Sequence, residues 1–379
     1  MKELTGETFI KLILEVLKSL FNLVNSSNND EVITGIIAIT KLIELDCSSE
    51  TRLIAQLRIP LSNTNPEILA MASEALGKLV NMKESEIGDS VEKEINSALE
   101  KLNQTERIEH ERLSAVLVLK EMAINAPSHF HNSEVLSQFF SSIWNSIVDS
   151  KINIRLSSLD ALRGVLVLLG KRDSSSNSWS GSLYNKAMST LKNGSNDSIH
   201  GSLLAISELI QNTPKSISKH FKDICEAVSN FKTHKDKLVR SVVIKFQPVL
   251  AQFNMDEWMK NYSRSTIGWL LTLNGKDDAS SSFWALGKIS LIIKEKIKPY
   301  MNDIISNIEN DLQKYKTAEC YQCIEMLSMG AKDNFGSFLS PHVSRFLCKN
   351  FFSIFIFIFI SNFIFYFLYF FLYLYLYLF

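Results

Sequence analysis

The sequence predicts an all-α protein, a stack of about eight helical hairpins followed by an apolar tail, on three observations. Helix breakers are scarce, with 14 glycines and 7 prolines in 379 residues, and few segments before residue 350 alternate apolar and polar side chains as half-buried strands do. The length exceeds the roughly 250–300 residues at which a single core stops growing, so one globule is excluded in favour of several domains or a repeat array. Six-residue words of one type recur: AITKLI from Ala38, ALGKLV from Ala75, VLKEMA from Val118, ALRGVL from Ala161, AISELI from Ala205, KFQPVL from Lys245, ALGKIS from Ala285 and CIEMLS from Cys323. Their steps of 37 to 44 residues match the period of HEAT and armadillo units, two or three helices each.

The elements follow in chain order. Residues 1–30 read as an amphipathic helix: Lys11, Glu15 and Lys18 interrupt the apolar run at helical spacing, which rules out a signal-peptide core and places the expected start of the protein in the cytosol. Residues 31–348 hold the repeats. In each word a small first residue lets a facing helix approach, and apolar residues at the second, fifth and often sixth positions fill one face. No single hairpin buries such a face, so stacking supplies the missing neighbour. The stretch ERLSAVLVLKEMAINAPSHF, Glu111–Phe130, shows the pattern most fully: Val118 and Leu119 widen its apolar face beyond one stripe, and Pro127 forces a turn near Ala126. Partner helices lie between the words. NPEILAMASEAL, for instance, begins with Asn65 as cap and Pro66 as first helical residue. One long polar break, KRDSSSNSWSGS at 171–182, predicts a loop that Trp179 packs down against the body.

Chemistry is sparse. Lys plus Arg and Asp plus Glu both total 40, so no net field draws in nucleic acid. The five cysteines, Cys47, Cys225, Cys320, Cys323 and Cys348, have no framework spacing and read as reduced thiols. Without a secretory signal, the Asn-X-Ser/Thr matches at Asn25, Asn103, Asn193, Asn196 and Asn261 are chance. Cys320 and Cys323 form a CxxC, but no second pair accompanies it and Cys323 takes the small position of the last word, so core packing is expected rather than zinc or redox chemistry. His129 and His131 flank Phe130 in a spacing metals can use, without a nearby carboxylate or thiolate; a solvated turn is expected. The DNFG at 333–336 stands without the glycine-rich loop, strand lysine or HRD of a kinase. No catalytic, cofactor-binding or metal residue is therefore predicted, no cofactor is expected, and protein-binding residues stay unassigned.

Residues 349–379 differ in kind. From Phe351 to Phe379 no charge occurs in 29 residues, long enough to span a membrane, but the FIFIFIF and LYLYLYL alternations suit strands better than a helix. The favoured reading is translated non-coding sequence; a tail anchor, with endomembrane association, is the alternative. Either way the segment is an aggregation hazard.

The words themselves carry a resemblance. TRLIAQLRIPLSNTNPEILAMASEALGKLV (Thr51–Val80), RLSAVLVLKEMAINAPSHF (Arg112–Phe130), IHGSLLAISELI (Ile199–Ile210) and FWALGKISLIIKEKIKPYMNDII (Phe283–Ile305) resemble, in order, the N-terminal HEAT region of the target-of-rapamycin (TOR) kinases. The family implies a very large cytosolic serine/threonine kinase whose N-terminal repeats support dimeric complexes and dock Raptor-like and Rictor-like subunits. The FAT, rapamycin-binding and kinase regions have no counterpart here. The resemblance therefore implies a non-enzymatic, cytoplasmic scaffold fragment, a truncated paralogue or clipped reading frame, with protein partners, no nucleic acid, and a membrane only if the tail is genuine. A tail-anchored adaptor and a HEAT adaptor of the nuclear-transport or phosphatase-scaffold type are the alternatives.

Overall fold

The computed structural model describes residues 6–44, 50–106, 108–171, 178–273, 277–314, 318–332 and 335–340. The apolar tail lies outside these residues, as do Cys47, Cys348, and Asp333 and Asn334 of the DNFG stretch. Among the described residues all regular structure is helical, with no strand: α1 (Gly6–Val24), α2 (Asn29–Glu44), α3 (Glu50–Leu57), α4 (Pro66–Asn103), α5 (Glu109–Asn125), α6 (Ser133–Ile147), α7 (Ile152–Lys171), α8 (Ser178–Asn193), α9 (Asn196–Asn212), α10 (Pro214–Ile217), α11 (Phe221–Ser229), α12 (Lys237–Phe253), α13 (Met255–Asn261), α14 (Ser263–Leu271), α15 (Ala279–Ile293), α16 (Met301–Lys314), α17 (Ala318–Ala331) and α18 (Phe335–Leu339). The chain forms two compact units, Met1–Val242 and Val243–Phe379, whose boundary falls within α12.

In the first unit the words sit on successive inner helices. α2, α4, α5, α7 and α9 pack one on the next in that order, while α1, α3, α6 and α8 lie against them as partners. α5 is the clearest case. From Arg112 to Ala123 every residue but Lys120 is buried, because α4 covers one side and α7 the other. The predicted stops are in place: Asn65 accepts a hydrogen bond from the Glu67 N–H at 2.9 Å with Pro66 behind it, and Ala126 caps α5 before Pro127.

The inner helices approach closely where they carry small residues. Ala75, Ala161 and Ala205 are at most 1% exposed. A Cβ added at Gly164 would lie 2.8 Å from the Ala123 Cβ across the α5–α7 seam. Ala205→Phe is therefore expected to destabilise the first unit by about 1–3 kcal/mol through overpacking, and amide exchange should accelerate in α7 and α9 while α15 and α17 keep their protection. Equal loss of protection in both units would contradict this.

Two expectations need correction. The predicted loop at 171–182 overlaps helix at both ends, since α7 includes Lys171 and α8 begins at Ser178, while residues 172–177 lie outside the described residues; Trp179 stacks on Phe140 with ring centroids 5.5 Å apart and Ser180 and Leu183 are buried, so these residues gain more from helix than from solvent. The KFQPVL copy is out of step: Lys245 is exposed, whereas Phe246 and Leu250 are buried. A lysine cannot occupy a close-packed crossing, and the apolar side chains set the register. A further feature is the absence of a turn after ALGKLV. α4 runs on for 38 residues, roughly 57 Å, because NMKESEI has no breaker and the helix's two glycines, Gly77 and Gly88, cost only about 1 kcal/mol each.

The second unit repeats the motif. α15 packs on α14 and α17, and α16 packs on α14 and α17. The single Ser290 Oγ proton is shared between the Gly287 and Met326 carbonyls at 2.7 and 3.1 Å, which satisfies a buried hydroxyl inside the α15–α17 crossing.

Candidate protein-binding groove

Buried polar chemistry in the first unit ties one inner helix to the next. Arg112 of α5 forks onto Asp149, ahead of α7, through Nε–Oδ2 at 3.0 Å and Nη2–Oδ1 at 3.3 Å, and Asp149 Oδ1 also accepts the Lys151 N–H at 2.9 Å. Arg155 of α7, 1% exposed, donates to the Asp149 and Ser150 carbonyls and reaches Asp197 of α9 at 2.6 Å. His200 lies beside Arg155, Asp197 and Asp236, 4% exposed, with no hydrogen-bond partner at Nδ1. Burial, reinforced by the Arg155 charge, lowers its pKa to about 4. These groups hold helices in register, and Arg112, Asp149, Arg155 and His200 are buried, whereas the Asp197 side chain is 42% exposed.

A concavity opens where α5 ends. Because Pro127 stops α5 while α7 continues to Lys171, the seam between them widens into a groove of about 470 Å³. Its floor is Ala123, Ile124, Pro127, Gly164, Val167 and Leu168, and its rim carries Lys120, Asp160, Arg163 and Lys171. Ile124 and Val167 are 54% and 39% exposed, large apolar side chains facing solvent together. The ion pairs at the rim are asymmetric. Lys120 pairs with Glu121 at 3.1 Å, and Arg163 forks onto Glu208 at 2.7 and 2.9 Å while also meeting Asp160 at 2.9 Å. The Glu121 and Glu208 side chains are only 10% exposed, against 31% and 51% for Lys120 and Arg163. Glu121 and Glu208 lie behind their cations, so the solvent-facing charges are Lys120, Arg163 and Lys171 with Asp160 as the exposed carboxylate. The Glu208 hydrogen bonds raise the Arg163 pKa further, so that cation is permanent.

The residues weighed from sequence lie elsewhere. Cys320 and Cys323 are both buried on α17, and Cys320 Sγ donates to Asp311 Oδ2 at 3.2 Å. Burial pushes the Cys323 thiol up to about 12 and, aided by the Asp311 hydrogen bond, raises Cys320 too, the opposite of what a thiolate ligand or redox nucleophile requires. His129 and His131 sit in the helical turn Pro127–His131; His131 is exposed and its Nδ1 lies 3.3 Å from the Pro127 carbonyl. Among the described residues no group of three His, Cys, Asp or Glu is placed to hold a metal, and no helix is long and apolar enough to cross a membrane. Phe335 and Gly336 belong to α18. Sequence reasoning left the groove unassigned, although a signal was present: the third or fourth position of five words is basic, at Lys41, Lys78, Lys120, Arg163 and Lys288.

No protein-family model matches the chain. Curated relatives do. It is 29% identical to the serine/threonine-protein kinase TOR of Oryza sativa subsp. japonica over 363 residues, 93% of this chain and 14% of that protein. It is 29% identical to the serine/threonine-protein kinase tor1 of Schizosaccharomyces pombe over 87% of this chain and 15% of the relative, and 26% identical to TOR2 of Saccharomyces cerevisiae over 85% and 14%. The chain thus spans about 14–15% of the length of these relatives, and the part matched is N-terminal. Its homologues are TOR kinases, as the sequence resemblance implied. Solved structures of similar fold are HEAT-repeat karyopherins. Yeast importin-β (Kap95p) matches with TM-score 0.62 and 16% identity over 88% of this chain and 43% of that one. Kap121p bound to the extreme C-terminus of the phosphatase Cdc14p matches with TM-score 0.60 and 14% identity over 90% and 38%. At such identities the likeness concerns fold alone, and it agrees with the all-α, HEAT-type class read from the repeat spacing.

Proposed function

We propose that this chain is a non-catalytic, protein-binding scaffold that takes part in assembling TOR signalling complexes by docking a Raptor-like or Rictor-like subunit. The observation that carries the reading is similarity across 93% of the chain to the N-terminal part of a TOR kinase. Inner helices that present exposed side chains from consecutive repeats support it, since an array of this kind binds by an extended face rather than a single deep pocket. The cytoplasm is the proposed compartment, because TOR-type partners would be met there.

The test is co-precipitation of the full chain from cell extract beside a HEAT-repeat control of similar length, with quantitative detection of TOR-complex subunits. Enrichment of a Raptor-like or Rictor-like subunit above control is the expected result, together with reduced assembly of the full-length kinase complex on overexpression. A folded, monodisperse chain that recovers neither subunit defeats the proposal. Purified chain is also expected to transfer no phosphate from ATP to any substrate. A transport adaptor, the rival suggested by the karyopherin fold, would instead recover transport cargo in the same experiment.

A further inference from the structure

We propose that the groove between α5 and α7 seats an amphipathic helix of a partner protein, with apolar side chains on Ile124, Pro127 and Val167 and an acidic flank against Lys120, Arg163 and Lys171. The inference rests on the protein-docking reading above and adds the place and the chemistry of the contact.

Three observations select this occupant. The first is the floor, which is aliphatic and lined by no aromatic ring, whereas proline-rich segments dock on aromatic-lined grooves. The second is the secondary structure around it. Strand addition needs a free sheet edge, and the described residues contain no strand, which leaves a helix laid into the trough between two helices, reading the groove through anchors at three- and four-residue steps. A volume of about 470 Å³ suits a few such anchors and not a whole domain face. The third is charge. The carboxylates of Glu121 and Glu208 lie behind the cations they pair with, Lys171 adds an exposed cation at the end of α7, and only Asp160 opposes them at the rim. The outermost charges at the groove are three cations against Asp160, so an acidic flank finds partners there and a basic flank meets mostly like charge. The other side of the same unit shows the contrast. A concavity of about 330 Å³ between α4 and α6 is lined by Glu92, Glu100 and Glu134, with no cation among its lining residues, and it repels the same occupant.

Fluorescence anisotropy with the full chain tests this. The probe is a labelled helical peptide of about fourteen residues, four turns, with leucines at i, i+3, i+4 and i+7 and glutamates on both flanks. Two control peptides replace the leucines by serine or the glutamates by lysine. Saturable binding of the probe that weakens as salt rises is expected, with each control at least about tenfold weaker. Ile124→Ser removes an exposed apolar anchor without touching the core and should weaken the probe about tenfold; Lys171→Glu should weaken it and improve binding of the lysine control. Circular dichroism of both variants should match the parent.

Failure of the probe to bind, equal binding of either control, or indifference to both substitutions overturns the proposal. So does self-association of the chain that Ile124→Ser abolishes, seen by sedimentation, since the occupant is then a second copy. The subunit proposal fails separately: if the probe behaves as expected and no TOR-complex subunit is recovered, the groove stands and the named partners fall. If a subunit is recovered equally by the Ile124→Ser chain, the partners stand and the groove falls.

Discussion

Arg112→Ala is expected to destabilise the first unit by about 3–5 kcal/mol, the cost of stranding a buried carboxylate. Asp149 is 3% exposed at its side chain, and the Arg112 fork compensates its charge where water cannot. After the substitution the carboxylate keeps the Lys151 N–H, a single neutral donor, in a site still closed by α5 and α7. Neutralising the acid as well should relieve most of the penalty. Arg112→Met with Asp149→Asn retains both shapes and the bond to Lys151, and should recover more than half of the loss, since a buried ion pair is worth little against a neutral replacement of similar volume. Urea unfolding of the parent, Arg112→Met, Asp149→Asn and the double variant closes a double-mutant cycle that measures this, with Arg112→Ala unfolded beside them. A loss below about 1 kcal/mol for Arg112→Ala, or additive effects of the two changes, would show that the fork carries no coupling.

The second large effect is set by pH. His200 is neutral in the folded chain, with a pKa of about 4 against an ordinary 6.5, because burial and Arg155 oppose its proton more than Asp236 and Asp197 favour it. The unfolded chain binds that proton below pH 6.5 and the folded chain does not. Stability from this group is therefore fully present above pH 6.5, declines as pH falls toward 4, and amounts to about 3 kcal/mol over the window. Other groups also change charge in acid, so the His200 share is isolated by comparison with His200→Leu. At pH 7.5 that variant should be close to the parent, because it removes a buried nitrogen without a partner. At pH 4.5 it should be the more stable of the two. Parallel pH profiles for the two proteins would assign the acid sensitivity to those other groups alone.

Much of the architecture was legible in the sequence, and the reason is that the signals are local or periodic. Asn65, Pro66 and Pro127 act through backbone geometry within one helical turn, so the start of α4 and the end of α5 could be read directly. The recurring words marked inner helices because each must offer small and apolar residues to the same kind of neighbour, whatever its position in the array. Where the reading slipped, a tertiary contact outweighed the local preference. Ser178–Ser182 looked like loop by composition, yet Trp179 found Phe140 and Leu183 found the core, and the helix began sooner. KFQPVL matched by spacing, and only packing revealed that Phe246 rather than Lys245 takes the inward place.

What the sequence by itself determined is the helical class, the repeat period and the kinship with TOR kinases, all properties of residues near one another or of their order along the chain. The tertiary structure alone decided which polar side chains are enclosed and which face water. Arg112 and Asp149 are 37 residues apart, and Arg163 and Glu208 are 45 apart. Neither pair has a spacing that reveals contact, because the stacking of one hairpin on the next, and not the helix itself, brings them together. The same stacking buries Glu208 and leaves Arg163 half exposed. It turns a balanced set of charges into a basic rim above an apolar floor, since an ion pair laid across a layer boundary presents to solvent only the partner on the outer side.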